Sequence, residues 1–438
     1  MKRSMIKISK ENRIELILKY FLISISIVAF FYSAFNKFSY DYGNFGAVTC
    51  IYLLSIYLVY KSSKNWMLFA IFGCIFWFNY SIGMALYLDN SIAGFYSSFI
   101  NDDVMSLGIN IILLFMILLV IIFPIEINKN TDENTFIQIY NKNDIIVCFI
   151  IMILIFILIT GFAKPEISGE RGEPSALYEY SLIFFIIGYY FSGGKRRNIY
   201  ILSLILIVFS IQNLVYGGRV VALQLITCFF IIIFSHKTKP IKMIPLILVG
   251  LIIFTSVGIF RANTKLSIDN IISVSKDIIH QKGTLDTAYS AYYSSLTFIK
   301  TKEYYDKNEI KQQFKKYVLS LMFGSGMIEG ESIQQISGQF YIHYGGGILP
   351  IYLYYYIGFW GVLLTVVIVI FYIRIINNLN KFSNGWLKCL SIYITCSVFR
   401  WYLYSPNGLI RGALLMSIIF YSLSSINKVL KLKKLVYK

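Results

Sequence analysis

Charged residues are scarce in this sequence of 438 residues: Asp, Glu, Lys and Arg make up 14% of it, against 57% hydrophobic residues. A water-soluble domain of this size cannot bury so much apolar surface, so the composition indicates a membrane protein. A helix needs about 20 apolar residues to cross a hydrocarbon core roughly 30 Å thick. The continuous apolar runs lack the alternation of barrel strands, and we therefore expect an all-α fold.

Several familiar catalytic and cofactor motifs are also missing. The sequence contains three histidines, and its six cysteines all fall inside apolar runs, so we expect neither disulfides nor a zinc framework. There is no GxxxxGK[ST] motif to couple ATP and no HExxH motif of a zinc hydrolase. The sequence therefore predicts a protein that uses no cofactor and no metal.

Apolar runs bounded by polar breaks predict about twelve transmembrane spans in a single integral membrane domain that covers residues 1–438. Two runs are short, which leaves a range of eleven to thirteen spans. The predicted spans are 14–35, 44–60, 65–88, 104–125, 145–163, 176–192, 198–216, 220–235, 241–260, 348–373, 386–404 and 409–427.

The excess of 40 Lys and Arg over 22 Asp and Glu lies mostly in short connectors. Basic residues beside spans set membrane topology next to anionic lipid, and this explains the charge better than nucleic-acid binding does. The basic connectors occur on alternate loops, and both termini are basic too, so we expect both termini in the cytoplasm.

The same alternation makes residues 261–345 a large extracytoplasmic loop between spans nine and ten. Two groups of residues in it recur at helical spacing, Ile268 to Ile279 and Tyr289 to Leu296. They predict two amphipathic helices that lie on the bilayer surface or cap the helix bundle.

Four arginines map to the outer half of the predicted membrane. Insertion of an arginine into a membrane is unfavourable, by about 2.5 to 3.5 kcal/mol at the centre of the bilayer, so each of them requires an explanation. Each one alone can be an interfacial residue paired with a carbonyl. Four at one depth favour a phosphate or diphosphate site, because a guanidinium group binds phosphate oxygens in a bidentate manner. These arginines are Arg219, Arg261, Arg400 and Arg411.

Candidate acid–base and sugar-binding residues lie in the large loop. His343, next to the membrane, is the first candidate for a general base near neutral pH, and a structural role is its alternative. Glu329 and Glu331 are further candidates for this catalytic role, with solvated loop charge as the alternative. Tyrosines offer flat apolar faces and a hydroxyl group to sugar rings, but they also occur in interfacial belts. The candidate tyrosines are Tyr289, Tyr292, Tyr293, Tyr341 and Tyr344.

Four features of the second half of the chain occur in a characteristic order. They are GGRVVAL after an outward turn, the long late loop, YLYYYIGFWGVLL with Tyr354, Gly358 and Gly361, and the closing RWYLYSPNGLIR. In this order and sidedness they resemble the O-antigen and capsular polysaccharide polymerases of the Wzy family and, more distantly, the O-antigen ligases.

The resemblance implies a metal-independent membrane glycosyltransferase of GT-C-like architecture in the bacterial cytoplasmic (inner) membrane. Such an enzyme transfers a growing glycan from undecaprenyl diphosphate to the next lipid-linked repeat unit at the outer face of the membrane. The partners it implies are the lipid-linked oligosaccharide, membrane lipids, a chain-length regulator and a flippase.

Three other functions remain open at this point. An O-antigen ligase would use the same donor, and the sequence separates it poorly from a polymerase. A flippase or transporter for the lipid-linked unit would favour deeper charges and short outer loops, which the loop at 261–345 contradicts. Another glycosyltransferase that uses polyprenyl-phosphate sugars would place its base at Asp102 or Asp103.

Overall fold

A computed structural model of the chain describes residues 10–35, 44–87, 102–124, 142–163, 173–215, 219–235, 238–244, 286–323, 332–341, 346–379 and 384–436. The regular structure of these residues is helical, except for one two-residue antiparallel pair in which Phe162–Ala163 lies beside Glu173–Pro174. The expectation of an all-α fold is confirmed for this part of the chain.

The helices are numbered here in chain order. The first half contains α1 (Lys10–Phe35), α2 (Phe45–Ser62), α3 (Trp66–Tyr87), α4 (Asp102–Ile122), α5 (Asp144–Thr160), α6 (Ala176–Glu179), α7 (Ser181–Ser192), α8 (Arg196–Val215) and α9 (Arg219–Phe229), which continues as a π-helical turn at Phe230–Phe234. A 3₁₀ turn follows at Pro240–Met243.

The second half contains α10 (Asp286–Thr301), a 3₁₀ turn at Lys302–Tyr304, α11 (Lys307–Phe323), α12 (Ile333–Gly338), α13 (Leu349–Ile357), α14 (Phe359–Asn377), α15 (Gly385–Cys396), α16 (Val398–Trp401) and α17 (Asn407–Val436).

Seven of the described helices are long and apolar enough to cross a membrane: α1, α2, α3, α4, α8, α14 and α17. Six of them coincide with predicted spans, and α14 matches the later part of the predicted span at 348–373. Large apolar side chains remain exposed on them, among them Ile17, Tyr200 and Phe371 at 69%, 72% and 65%. Contiguous apolar surface of this kind is covered by lipid or protein rather than by water. These helices support the assignment to membrane proteins.

The remaining five predicted spans are less regular. Three correspond to shorter apolar helices, Asp144–Thr160, Ser181–Ser192 and Val220–Phe234. The predicted span at 241–260 lies largely outside the described residues. The fifth, 386–404, is broken at a single residue: α15 ends at Cys396, and α16 follows directly after Ser397. The Trp401 indole and the Ser397 hydroxyl both donate hydrogen bonds to the Ile394 carbonyl, at 2.9 and 3.2 Å, and thereby stabilise the break.

The predicted span at 348–373 is also interrupted, because Gly358 separates α13 from α14. Gly358 has φ of 64° and ψ of −145°, a conformation that is essentially restricted to glycine. Beyond the break, Gly361 lies directly against α13, since a Cβ atom on it would be 2.2 Å from the Leu353 carbonyl oxygen. Residues eight positions apart in one helix are about 12 Å apart. The two helices therefore fold back on each other as a hairpin, and α14 alone has the length of a span.

The connectors that were predicted to share one side of the membrane meet at one end of the bundle. Lys19 donates hydrogen bonds to the carbonyls of Ile121 and Phe123, at 3.0 and 3.1 Å, and so joins the start of α1 to the end of α4. Further contacts at this end are Lys61 with Glu15 at 2.6 Å, Lys195 with Asp144 at 2.7 Å, Trp66 with the Thr238 carbonyl at 2.8 Å and Asn143 with Asn427 at 2.8 Å. Residues of several predicted cytoplasmic connectors therefore lie beside one another, and the side of the membrane that they face stays a prediction.

The helix predicted around Tyr289 exists as α10, but it does not lie on a surface. Nearly all its side chains from Ala288 to Ile299 are buried, and it packs against α3, α4, α12 and α13. A Cβ atom on Gly108 of α4 would lie 2.4 Å from a methyl group of Leu296, which shows how closely the two helices approach. The segment 287–299 contains no charged residue, so this part of α10 lacks the charged face that is typical of a surface helix. The helix predicted around Ile268 lies outside the described residues.

Candidate functional site

Five of the predicted site residues lie outside the described part of the chain: Arg261, Glu329, Glu331, His343 and Tyr344. Arg219 begins helix α9, but its side chain is not among those described. The structure describes the side chains of the other six, namely Arg400, Arg411, Tyr289, Tyr292, Tyr293 and Tyr341.

Arg400 is fixed by the aromatic residues that follow it in the chain. Trp401 and Tyr402 are buried, at 3% and 0% exposure. The Tyr402 ring stacks on Phe78 of α3 at 6.0 Å. The chain turns directly after these residues, because the backbone N–H groups of Tyr404 and Ser405 both donate to the Arg400 carbonyl, at 2.8 and 3.1 Å. The guanidinium group is thus carried on a short rigid helix at a sharp turn.

The guanidinium group of Arg400 binds the carboxylate of Glu179. Nη1 donates to Oε2 at 3.0 Å, and Nη2 lies 2.8 Å from Oε1, so the ion pair is bidentate. The two side chains remain 23% and 33% exposed, which keeps both within reach of a ligand. A guanidinium fork that fits a carboxylate in this way also fits two oxygens of a phosphate group.

Glu179 is held in place by the segment that joins α5 to α7. The two-residue β pair joins Phe162–Ala163 to Glu173–Pro174, and the Ser175 N–H donates to the Gly161 carbonyl at 2.8 Å. Tyr178, next to Glu179, is fully buried, and its hydroxyl contacts Gln212 and Asn213 of α8 at 2.7 and 3.0 Å. The carboxylate of Glu179 therefore lies on a short helix, α6, that the buried Tyr178 fixes to α8.

Arg411 lies in the first turns of α17, next to the Arg400 turn. A Cβ atom on Gly408 would be 3.8 Å from the Cβ atom of Arg400, and Arg411 follows Gly408 by three positions on the same helix face. Its Nη2 donates to the Ser320 carbonyl of α11 at 3.0 Å, whereas its buried Nε has no hydrogen-bond partner among the described residues. The backbones of Arg400 and Arg411 are thus neighbours, but their guanidinium groups contact different elements, α6 and α11.

The residues that directly follow the predicted outer loop are attached to the same turn, and so is α12 within the loop. The N–H groups of Gly347 and Leu349 donate to the carbonyls of Leu403 and Tyr402, at 2.8 and 2.9 Å. Gly346 has φ of 85°, and a Cβ atom on it would lie 2.9 Å from the Leu403 carbonyl oxygen. The side chain of Gln334 in α12 donates to the Tyr404 carbonyl at 3.0 Å. Two separate parts of the loop region therefore contact the residues that directly follow Arg400.

Three of the tyrosines proposed to bind sugars are packing residues. Tyr289, Tyr292 and Tyr293 are 3%, 0% and 3% exposed. The Tyr292 hydroxyl donates to the Met105 carbonyl of α4 at 3.2 Å. Because the buried rings present no exposed face to a sugar, we correct the expectation that these three residues bind the glycan.

Tyr341, in contrast, belongs to an exposed group of rings, here called the aromatic platform. The rings of Tyr304 and Phe340 stack in parallel at 4.6 Å and 3° and are 55% and 41% exposed. Tyr305 contacts Phe340 edge-on at 6.1 Å, and the hydroxyls of Tyr304 and Tyr341 are 3.2 Å apart. Burial and the neighbouring Tyr304 hydroxyl raise the pKa of Tyr341, so its phenol stays protonated at neutral pH. The platform was not predicted as a unit, because its members come from two separate segments.

Two features bear on what the site can do chemically. Within the described ranges, no group of three or more His, Cys, Asp and Glu residues is arranged to hold a metal ion. Glu179 was missed by the sequence analysis, although an acid at the edge of the apolar run 176–192 is a signal in itself, because such a charge requires a partner. The site therefore contains the guanidinium group of Arg400, the carboxylate of Glu179 bound to it, and the guanidinium group of Arg411 on the neighbouring helix.

Comparisons of the chain with protein-family models, with curated proteins and with solved structures found no match.

Proposed function

We propose that the protein polymerises oligosaccharide repeat units carried on undecaprenyl diphosphate, at the outer face of the bacterial cytoplasmic membrane. The observation that carries this proposal is the meeting of Arg400, Arg411 and the end of the large loop at one turn between α16 and α17. The substrate is an amphipathic lipid with a diphosphate at the membrane interface and sugars in water. An enzyme that binds this substrate requires cationic side chains at the membrane interface and a sugar-binding surface on the aqueous side of them.

The diphosphate is assigned to the arginines. Arg400 presents two Nη groups in the geometry of bidentate recognition, and Arg411 is the fifth residue of the 30-residue helix α17. The N-terminus of a helix carries about half a positive charge, which adds to the attraction for an anion. In the proposal, Arg219 and Arg261 complete the set. Together these groups stabilise the charge that develops on undecaprenyl diphosphate as it leaves.

The glycan is assigned to the aromatic platform. Stacked rings with exposed faces and neighbouring hydroxyls suit the apolar faces and polar rims of pyranose rings. The platform is linked to the proposed diphosphate site through α12, because Gln334 of α12 contacts the Arg400 turn and Phe340 follows this helix in the chain. Tyr344 belongs to the same sugar-binding surface in this proposal.

The reaction is an inverting or retaining transfer at the anomeric carbon of the donor glycan. A hydroxyl of the acceptor repeat unit forms the new bond to this carbon, the bond to the diphosphate oxygen breaks, and a general base takes the hydroxyl proton. His343 is the first candidate for the base, with Glu329 and Glu331 as alternatives. Gly346, three residues after His343, packs against Leu403 at the Arg400 turn, which supports this assignment.

The finer architecture belongs to the proposal as well: about twelve spans in a GT-C-like arrangement, both termini in the cytoplasm, and residues 261–345 outside. A ligase would share the donor site and is the alternative function. A deletion strain separates the two, because loss of a polymerase leaves single-repeat caps on the acceptor lipid, whereas loss of a ligase leaves none. The polymerase is supported if the deletion strain carries caps of a single repeat unit and the reintroduced gene restores full-length chains. Complete absence of caps, or unchanged long chains, would contradict it.

A further inference from the structure

The bidentate contact between Arg400 and Glu179 raises a question for the proposed function, on which the following inference rests. Both Nη groups of Arg400 that would grip a diphosphate are already bound to a carboxylate, at 3.0 and 2.8 Å. A diphosphate can bind both groups only if Glu179 gives up its contact. Both side chains are partly exposed, so the exchange does not require the bundle to open.

We propose that the diphosphate of the lipid-linked donor displaces Glu179 from Arg400, and that the released carboxylate is the general base of the transfer. Glu179 replaces His343 in that role. Donor binding thus releases the base from Arg400.

Charge at Arg400 favours the exchange. The diphosphate carries more negative charge than a single carboxylate and offers the same pair of oxygens to the guanidinium fork. Once the diphosphate holds both Nη groups, Glu179 has lost its cation and lies beside a like charge, which repels the carboxylate from the arginine.

The positions of the two groups are also suitable for the chemistry. The bond that breaks joins the anomeric carbon to the diphosphate oxygen, so the reacting carbon lies next to whatever Arg400 binds. A carboxylate that leaves the Nη groups by a side-chain rotation remains within a few ångströms of this carbon, because Tyr178 anchors its helix in the core. In the step, the oxygen of the acceptor hydroxyl forms its bond to the anomeric carbon, and the hydroxyl proton moves to Glu179. The bond from this carbon to the diphosphate oxygen breaks, and the undecaprenyl diphosphate that is released from the glycan stays bound to Arg400. The proton then passes to water.

The test uses the purified full-length protein in proteoliposomes, with two measurements on each variant. The first is the rate of glycan transfer from the lipid-linked repeat unit, and the second is the affinity for undecaprenyl diphosphate alone. Glu179→Gln keeps the size of the side chain and removes the charge, while Glu179→Asp keeps the charge. Glu15→Gln is the matched control, because Glu15 is also ion-paired and 30% exposed, but with Lys61 at the opposite end of the bundle.

We expect Glu179→Gln to slow transfer by about 10² to 10⁴-fold and to bind undecaprenyl diphosphate about tenfold more tightly, since the competing carboxylate is gone. The acidic limb of the pH–rate profile should disappear in this variant, and Glu179→Asp should recover part of the rate. A transfer rate within twofold of wild type in Glu179→Gln would overturn the inference. So would weaker undecaprenyl diphosphate binding with an intact acidic limb, since that is the result for a merely structural ion pair.

The outcome distinguishes this inference from the proposed function. If wild-type protein forms polymer while Glu179→Gln is fully active and His343→Ala is not, the polymerase proposal stands and Glu179 is not the base. If wild-type protein forms no polymer, the polymerase proposal fails. The affinity measurement then still decides whether a diphosphate competes with Glu179 for Arg400.

Discussion

The guanidinium group of Arg411 donates a hydrogen bond from Nη2 to the backbone carbonyl of Ser320, at 3.0 Å. This contact joins the first turns of α17 to α11, a helix of the predicted outer loop. It uses one of the donors of Arg411, and the buried Nε has no hydrogen-bond partner among the described residues. A buried charged donor gains from a hydrogen-bond partner, and in the proposed function an oxygen of the diphosphate accepts this hydrogen bond.

Substitution of Arg411 tests this interpretation. We expect Arg411→Ala to abolish chain extension and to leave membrane insertion intact, because each charge-assisted hydrogen bond that it removes contributes about 1.5 to 3 kcal/mol. The measurement is the length distribution of the polysaccharide in a complemented deletion strain. Arg374→Ala, at the exposed far end of α14, is the control and should extend chains normally. Long chains from Arg411→Ala would remove this residue from the site.

The aromatic platform predicts a defect of a different kind. Phe340→Ala and Tyr304→Ala should raise the KM for the lipid-linked acceptor about two- to tenfold with little change in kcat, since a lost ring contact costs about 0.5 to 1.5 kcal/mol. Steady-state kinetics in proteoliposomes provide both constants. Tyr200→Ala removes an even more exposed tyrosine from the start of α8 and should leave KM unchanged. Equal effects at Tyr200 and Phe340 would assign the platform to lipid contacts.

The helical hairpin at Gly358 makes Gly361 sensitive to the addition of a single methyl group. Gly361→Ala places a Cβ atom 2.2 Å from the Leu353 carbonyl oxygen, and such overpacking typically destabilises a protein by about 1 to 3 kcal/mol. The unfolding midpoint of the detergent-solubilised protein should fall. Gly73→Ala in α3 is the matched control, because no atom lies within 4 Å of its new Cβ. It should be neutral or slightly stabilising, as Ala is the better helix former. Similar midpoints for the two variants would argue against the close approach of α13 and α14.

The predicted sidedness can be measured by labelling single cysteines. In a background without the six native cysteines, Lys311→Cys on α11 should react with a membrane-impermeant thiol reagent in intact cells. Arg197→Cys, at the start of α8, should react only after the membrane is opened. Both positions are exposed. The reverse pattern would place α11 and the proposed site in the cytoplasm, where the donor of a polymerase is not presented.

The length of the apolar runs was sufficient to predict seven helices that are long and apolar enough to cross a membrane, because a bilayer imposes a minimum length that hydropathy detects. Hydropathy does not detect breaks within an apolar run. At Gly358 and Ser397 the run continues while the backbone turns, and the causes are a glycine-only conformation at the first and side-chain hydrogen bonds to Ile394 at the second. A glycine at position 358 can be recognised in the sequence as a possible break, but the close contact of Gly361 with Leu353 can be seen only in the structure.

The candidate site was predictable to a similar degree. Arg400 and Arg411 stood out because arginine at the edge of a span is costly. Glu179 did not stand out, because it is 221 positions from Arg400 and single acids at span edges are common. The spacing of Tyr289, Tyr292 and Tyr293 predicted a helix correctly. Its burial followed from the lack of a charged face, which helical spacing alone does not reveal.

The central claim is most directly tested by reconstitution of the purified protein with lipid-linked repeat units, with the products resolved by length. The wild-type protein should produce a ladder of polymers on undecaprenyl diphosphate without added metal or nucleotide, and Arg400→Ala should produce only the single repeat unit at equal protein incorporation. A wild-type protein that leaves the repeat unit unextended, or an Arg400→Ala protein that builds the same ladder, would contradict the account.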